Sequence, residues 1–400
     1  AQSKNVIQRK IDRLISKGLS AGVAISAYRQ SDGARYHFSG GNLTDRSPYF
    51  GMGTTYPYVV AILMQMLEEG KLALDTPFTA YLEGQKVCDE LHVMDGVDYT
   101  DQITIRHLLS HRTGFDDKFM TQKGGKVIIH EFMTGIDSKW TFDDVVTRAR
   151  SHGAIYAPGA GDKPSFSDVH FHILGKLIEE IDDKPFAQSV QDRLATPLGL
   201  TSTYVYCDPS DKRPAPLFTK NGVISVPLIM TSFQAESGIV TTSREAMVFL
   251  RAFFEGYLFD RKRLAEICDW NKLMPILDYG LGMMNVHLPR MFTAMGRIDE
   301  PWNALRPNAP MIGHLGKNGS FIFFAPKEKI YVSGSVNKLG RTPLALTLAT
   351  RLVEAIERGE VARTDMQYGD GAFKGAADKA NPSSKQSQPA SQQTPLGAFE

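Results

Sequence analysis

The sequence predicts an α/β fold of the α+β kind: an antiparallel sheet flanked by helices and interrupted by an inserted helical domain. Two observations carry this. Strand-like alternation lies near both ends of the chain, whereas the middle reads as helices joined by long loops.

The order of elements follows from local signals. Ile7 to Leu19 carries apolar residues at helical spacing, and the runs Ala21 to Tyr28 and Ala34 to Phe38 flank the turn signal Ser31-Asp-Gly33. A helix followed by a hairpin is expected. Val59 to Glu69 is a strongly apolar helix with Pro57 in its first turn and Gly70 as its stop. Helices are then expected within Ile103 to Gly114, over Trp140 to Ser151 and over Val169 to Ile181. Alternation returns at Gly238 to Thr242, Gly280 to Val286, Ser320 to Phe324 and Ile330 to Val336, before a last helix from Pro343 to Arg358. The expected division is a discontinuous α/β sheet domain, 1–75 and 229–365, with a helical insertion over 76–228. Residues 366–400, rich in Lys, Ser, Gln, Pro and Ala, bury too little apolar surface to offset ordering entropy, so a disordered tail is expected.

Composition excludes several functions. With 45 Lys plus Arg against 44 Asp plus Glu and no basic stripe, the footprint of a nucleic-acid binder is missing. The longest apolar run, Val59 to Leu67, falls short of the roughly 20 residues a spanning helix needs, so no transmembrane segment is expected. Cys88, Cys207 and Cys268 are widely spaced and form neither a metal-like cluster nor a disulfide framework. His107 and His111 have the i, i+4 spacing of two ligands on one helical face, but no Glu follows in the zinc-protease arrangement. No metal and no cofactor are expected. Compartment and oligomeric state are left open by the sequence.

The segment from Phe50 to Leu72, with Ile103 to Gly114, Tyr156-Ala-Pro-Gly159, Phe166-Ser-Asp168, Pro197 to Thr201, Glu236 to Thr242, Tyr279 to Gly282 and His314-Leu-Gly316, resembles in order the blocks of the β-lactamase-related esterases, DD-peptidases and transesterases. The resemblance covers roughly residues 7 to 358 and implies a β-lactamase/transpeptidase-like fold. In that family a serine and a lysine one helical turn later form the nucleophile pair. Counting back from Glu68-Glu-Gly-Lys-Leu72, the serine position falls on Gly53 and the lysine position on Tyr56. Anchoring on Phe50 to Gly53 instead puts Thr54 at the serine position and requires a one-residue deletion. Neither alignment restores the pair. The second family motif carries a tyrosine where Phe166 stands, while His314-Leu-Gly316 satisfies one form of the third.

The expected site is a cleft between sheet and insertion that gathers Gly53, Thr54, Tyr56, Phe166, Asp168 and His314. There the start of the Val59 helix and N–H groups near Gly316 could hold an oxyanion. Tyr56 and His314 are the candidate proton-handling pair and Asp168 the orienting group. Thr54, Gly53, Phe166, His170, Gly316 and Lys317 are candidate substrate contacts. Each has a structural alternative: Thr54 or Thr55 as a helix cap, Tyr56 as filler of the lysine's volume, His314 as a satisfied strand histidine, Asp168 as a cap, Lys317 as solvated surface. Two functions follow. One is an enzyme using noncovalent acid–base chemistry and oxyanion stabilisation on a small carbonyl-containing substrate; the other is a non-catalytic protein that binds a ligand or partner. A residual esterase or amidase using Thr54 is a third reading.

Overall fold

The computed structural model describes residues 6–116, 132, 134–287 and 310–364. The 366–400 segment lies outside the described residues. Two strands that open the chain, β1 (Gly22–Arg29) and β2 (Ala34–Gly41), form the expected hairpin after helix α1 (Val6–Ser16). They join six later strands in one antiparallel sheet: β6 (Asn271–Met274), β7 (Leu277–Tyr279), β8 (Met284–Val286), β9 (Met311–Leu315), β10 (Ser320–Ala325) and β11 (Ile330–Ser335). The spatial order is β6-β7-β8-β9-β10-β11-β1-β2. Strand β1 therefore pairs with β11, Ala24 opposite Ser335, and the two ends of the chain close one sheet.

A second, three-stranded sheet orders β3 (Tyr49–Phe50), β5 (Ile239–Thr241) and β4 (Tyr204–Val205), with β5 in the middle. It stitches the region before the apolar helix to the return from the helical region.

Helix α2 (Tyr56–Glu68) buries Tyr56 through Met64 without a break, which a one-faced surface helix would not do. Each fully buried Val, Ile, Leu or Met there contributes roughly 1.5–3 kcal/mol from burial. Gly70, at φ +69°, ends it. Helices α3 (Ile105–Leu109), α4 (Phe142–His152) and α5 (Val169–Asp182) pack on the α2 side. One apolar cluster runs through Val60, Leu108, Val146, Phe171, Ile322 and the Phe249 side of α6 (Ser243–Glu255). A second cluster fills the opposite face of the sheet, where α1 and α7 (Thr342–Glu357) cover Val23, Phe321 and Val332. No helix among the described residues is long and apolar enough to cross a membrane.

Three local expectations change. The Gly280 to Val286 run is strand only over Met284–Val286, and the preceding strand is Leu277–Tyr279. Neither Thr54 nor Thr55 caps α2: Thr55 has helical backbone angles and its hydroxyl accepts from Ile239 N–H, while the Thr54 hydroxyl donates to the Gly51 carbonyl. His107 caps α3 with Thr104, and His111 lies beyond that helix at φ +55°, so the two do not present one ligand face.

Candidate functional site

Residues Met52–Thr55 form a single 3₁₀ turn leading into α2. This turn is pressed against the end of β9. A Cβ at Gly53 would lie 2.4 Å from the Leu315 carbonyl oxygen, and one at Gly316 would lie 2.5 Å from the Gly51 carbonyl oxygen. Only glycine permits both approaches. The Gly51 carbonyl accepts from the Ser320 hydroxyl at 2.5 Å and the Thr54 hydroxyl at 2.9 Å, and the Asn318 amide clamps the Phe50 carbonyl at 2.6 Å. The Gly316 N–H donates to the Ser320 carbonyl at 2.9 Å. Thr54 is buried and its hydroxyl donates to the Gly51 carbonyl, with no side-chain base bonded to it among the described residues.

One turn further, the Tyr56 ring stacks on Phe171, with centroids 3.5 Å apart and planes within 6°, and lies 4.7 Å from the His314 ring and 6.0 Å from Phe166. Its hydroxyl donates to Asp168 Oδ1 at 2.7 Å. Lys317 Nζ donates to Asp168 Oδ2, also at 2.7 Å. Asp168 is only 3% exposed, whereas the Lys317 side chain keeps 38%. Asp168 does not cap α5; both its oxygens face the site. Gly53, Thr54, Tyr56, Phe166, Asp168, His314, Gly316 and Lys317 thus meet in one place.

A second carboxyl completes the cluster. Glu236, 3% exposed, is engaged by Ser237 and Asp168 and feels the Lys317 charge. Burial and then the negative charge of Asp168 push Glu236 well above the usual carboxyl range. For Asp168, burial acts in the same direction but is outweighed by the Lys317 ammonium and the hydrogen bonds from Lys317 and Tyr56, which hold it below its usual value. The two carboxyls are thus pushed apart, Glu236 toward its neutral form and Asp168 toward its charged one. Burial, with Asp168 and Glu236 beside it, drives the Tyr56 phenol well above its ordinary pKa, which makes it a donor and removes it as a base.

The histidines are neutral. His314 Nδ1–H donates to its neighbour's carbonyl, Leu315 O, at 2.9 Å, leaving Nε2 to accept from the Tyr279 hydroxyl at 3.1 Å. Burial lowers His314 to about 4. His170 joins a separate chain: Ser167 N–H donates to His111 Nδ1, so His170 Nδ1–H also donates to that atom, at 2.7 Å, and His170 Nε2 accepts from Thr113 Oγ1 at 2.7 Å. Burial lowers His170 to about 3. Both ring nitrogens of His170 are thus engaged within the protein.

Sequence reasoning missed Glu236 and Tyr279 as site groups, although both stand in stretches singled out for their resemblance. The available signal was a carboxylate beside a small-residue turn, Glu236-Ser-Gly238, entering a short strand.

A family model described as Beta-lactamase matches residues 8–357. The chain is 27% identical over 210 residues to esterase EstB of Burkholderia gladioli, covering 50% of this chain and 51% of that protein. It is 25% identical over 203 residues to penicillin-binding protein 4 of Amycolatopsis lactamdurans, covering 48% and 47%. The chain spans about half the length of these curated relatives. Among solved structures, a D-stereospecific amidohydrolase from Streptomyces sp. superposes with a TM-score of 0.69 at 22% identity, covering 86% of this chain and 98% of that one. A D-amino acid amidase from Ochrobactrum anthropi SV3 gives 0.69 at 19% identity, covering 88% and 100%. At these identities the structural likeness is one of fold.

Proposed function

This chain belongs to the Beta-lactamase family and has its β-lactamase/transpeptidase-like fold, and from that premise we propose that it takes a small carbonyl-bearing molecule into the family cleft without forming an acyl-enzyme. One observation carries the reading: of the two candidates for the serine position, Gly53 is set so close to Leu315 that it has no room for a side chain, and the Thr54 hydroxyl is buried against Gly51. Acyl transfer needs an activated nucleophile, and neither residue supplies one.

What the cleft offers instead is charge. The Lys317 ammonium, oriented by Asp168 and partly exposed, is placed to receive a carbonyl oxygen and to stabilise negative charge developing on it. Tyr56 orients Asp168 and so acts as a positioning residue, and His314 holds the end of β9 through Leu315 and Tyr279. The catalytic form of the reading is polarisation of the carbonyl by Lys317 with Glu236 as the protonated acid beside it. Relatives named as esterase and penicillin-binding protein, and fold neighbours named as amidases, make esters and amides the compounds to try.

The non-catalytic binder is the second reading, favoured by one fact: the polar atoms of Tyr56 and His314 are all engaged within the protein. The test is a panel of small esters and amides, scored by thermal stabilisation and by product formation, on the wild type and Lys317→Met. Stabilisation that vanishes in Lys317→Met supports the site, and product separates enzyme from binder. Stabilisation unchanged in Lys317→Met would sink the proposed contact.

A further inference from the structure

A cavity of about 290 Å³ lies beside α5, and none of Tyr56, Asp168, Glu236, His314 and Lys317 lines it. Its volume stands at the lower end of the range of roughly 300–1,000 Å³ for small-molecule sites, room for one ring and a short arm. Three stretches of chain build it. On α5, His172, Lys176 and Glu179 fall at helical spacing on one face. Gly175 between them lets the chain at Ala235 approach, since a Cβ on Gly175 would lie 2.4 Å from the Ala235 Cβ. Trp140 and Phe142, where α4 begins, bring aromatic surface, and Phe186 adds a third ring, 1% exposed. Cys207 and Gln234 form a further wall, in which the Gln234 amide donates to the Thr231 carbonyl at 2.6 Å and to Cys207 Sγ at 3.8 Å. Gln234 holds φ +43° and ψ −119°, a backbone conformation costly for any residue but glycine, so its surroundings fix that wall in place.

The charges at this cavity are unequal. Lys176 is matched by Glu180 at 3.0 Å and by Glu179 at 3.6 Å, and Glu179 also accepts from the Phe186 N–H at 3.0 Å. Lys139 is exposed and pairs with no carboxylate among the described residues, yet its charge reaches the Cys207 thiol across the cavity wall. Aromatic walls favour a flat apolar body, and an unmatched ammonium at the rim favours an anion. We propose that this cavity is a second binding site, for small aromatic carboxylates, with the ring among Trp140, Phe142 and Phe186 and the carboxylate on Lys139. It is separate from the carbonyl contact at Lys317 and does not depend on it.

Three probes share a ring and a three-carbon chain and differ in charge: 3-phenylpropanoate, 3-phenylpropan-1-ol and 3-phenylpropan-1-amine. Cys207 is exposed whereas Cys88 is buried, so the rate of Cys207 alkylation by N-ethylmaleimide, mapped by peptide mass spectrometry on the full chain, reads occupancy. The acid is expected to slow this alkylation saturably, at concentrations roughly 2- to 10-fold below those the alcohol requires, the range between an exposed ion pair and a charge-assisted hydrogen bond. The amine should protect least. Lys139→Met, at an exposed position, should erase the difference between acid and alcohol, whereas Lys317→Met should leave it intact. The half-protecting concentration is a ratio within one protein, so a change in thiol reactivity between variants does not enter it. Absence of protection by the acid, or equal protection by all three probes, overturns the inference. So does protection that is lost in Lys317→Met and kept in Lys139→Met, which would seat the acid in the carbonyl cleft. The carbonyl reading is decided separately, by its own panel of esters and amides.

Discussion

The Tyr56 hydroxyl donates to Asp168 Oδ1 at 2.7 Å across a separation of 112 positions, and this bond ties the start of α2 to the start of α5. Where the family resemblance implies a lysine beside a serine, the chain has a phenol held by a carboxylate. A phenol in that setting donates its proton and keeps it.

Removing the Tyr56 oxygen should therefore cost stability before it costs anything else. Tyr56→Phe keeps the stack on Phe171 and leaves a buried carboxylate short of one donor, which carries a penalty of about 1–3 kcal/mol. Urea unfolding would show a lower midpoint at unchanged slope. A change under a few tenths of a kcal/mol would mean that Asp168 is sufficiently satisfied by Lys317 and Glu236.

Much of this was legible in the sequence and some was not. The sheet at both ends, the α2 helix and the grouping of Gly53, Tyr56, Phe166, Asp168 and His314 follow from periodicity and from the order of the family-like blocks. The roles within the group do not. The bonds that define Asp168 reach 112 and 149 positions along the chain, so its local setting before α5 reads equally well as a helix cap. Thr54 and Thr55 mislead for the same reason, because their hydroxyls serve the turn and β5. Glu236 looks like an ordinary surface carboxylate until the fold buries it against Asp168. The proposed boundaries at 75/76 and 228/229 are crossed by one apolar cluster containing Val60, Leu108, Phe171 and Phe249, a continuity that no local pattern announces.

Restoring the family nucleophile by substitution should fail. A serine at Gly53 would place its Cβ 2.4 Å from the Leu315 carbonyl, so the turn or β9 must move, at a cost of about 1–3 kcal/mol for overpacking. Gly53→Ser with Tyr56→Lys would also put an ammonium beside Lys317. The double variant is expected to melt earlier and to form no adduct with a β-lactam or an activated phosphonate by intact-protein mass spectrometry. The wild type should form none either. A stoichiometric adduct mapped to Thr54 in the wild type would revive the hydroxyl-nucleophile reading.

Acid should destabilise the protein through its histidines. Burial depresses His314 and His172 to about 4 and His170 to about 3, and holds His111 well below the usual 6.5. Each binds its proton more readily when unfolded than when folded. The stability they contribute is therefore complete above about pH 6.5 and is lost as pH falls toward 4. Within that window each fully unprotonated buried histidine costs about 1.4 kcal/mol per pH unit. Melting temperature measured from pH 7.5 to 4.5 should fall with a slope that His172→Phe makes shallower. A flat profile down to pH 5 would show that these rings protonate in place.

Lys317 gives the last and sharpest test, because stability and binding should respond to it separately. Lys317→Met keeps the length and apolar stem of the side chain while removing the charge that holds Asp168 below its usual pKa. The freed Asp168 still has Tyr56 and Glu236, and the lysine is partly solvated, so the loss should stay near the lower end of the range for a broken ion pair, about 1–3 kcal/mol. Its pH dependence has a definite sign. Asp168 loses the depression of its pKa, so the stability it contributes above the unfolded carboxylate pKa in the wild type should be much reduced in the variant. Binding of small esters and amides should fall further than stability does, because the carbonyl contact itself is removed. A variant that loses stability yet binds these compounds as the wild type does would make Lys317 a structural partner of Asp168 and nothing more.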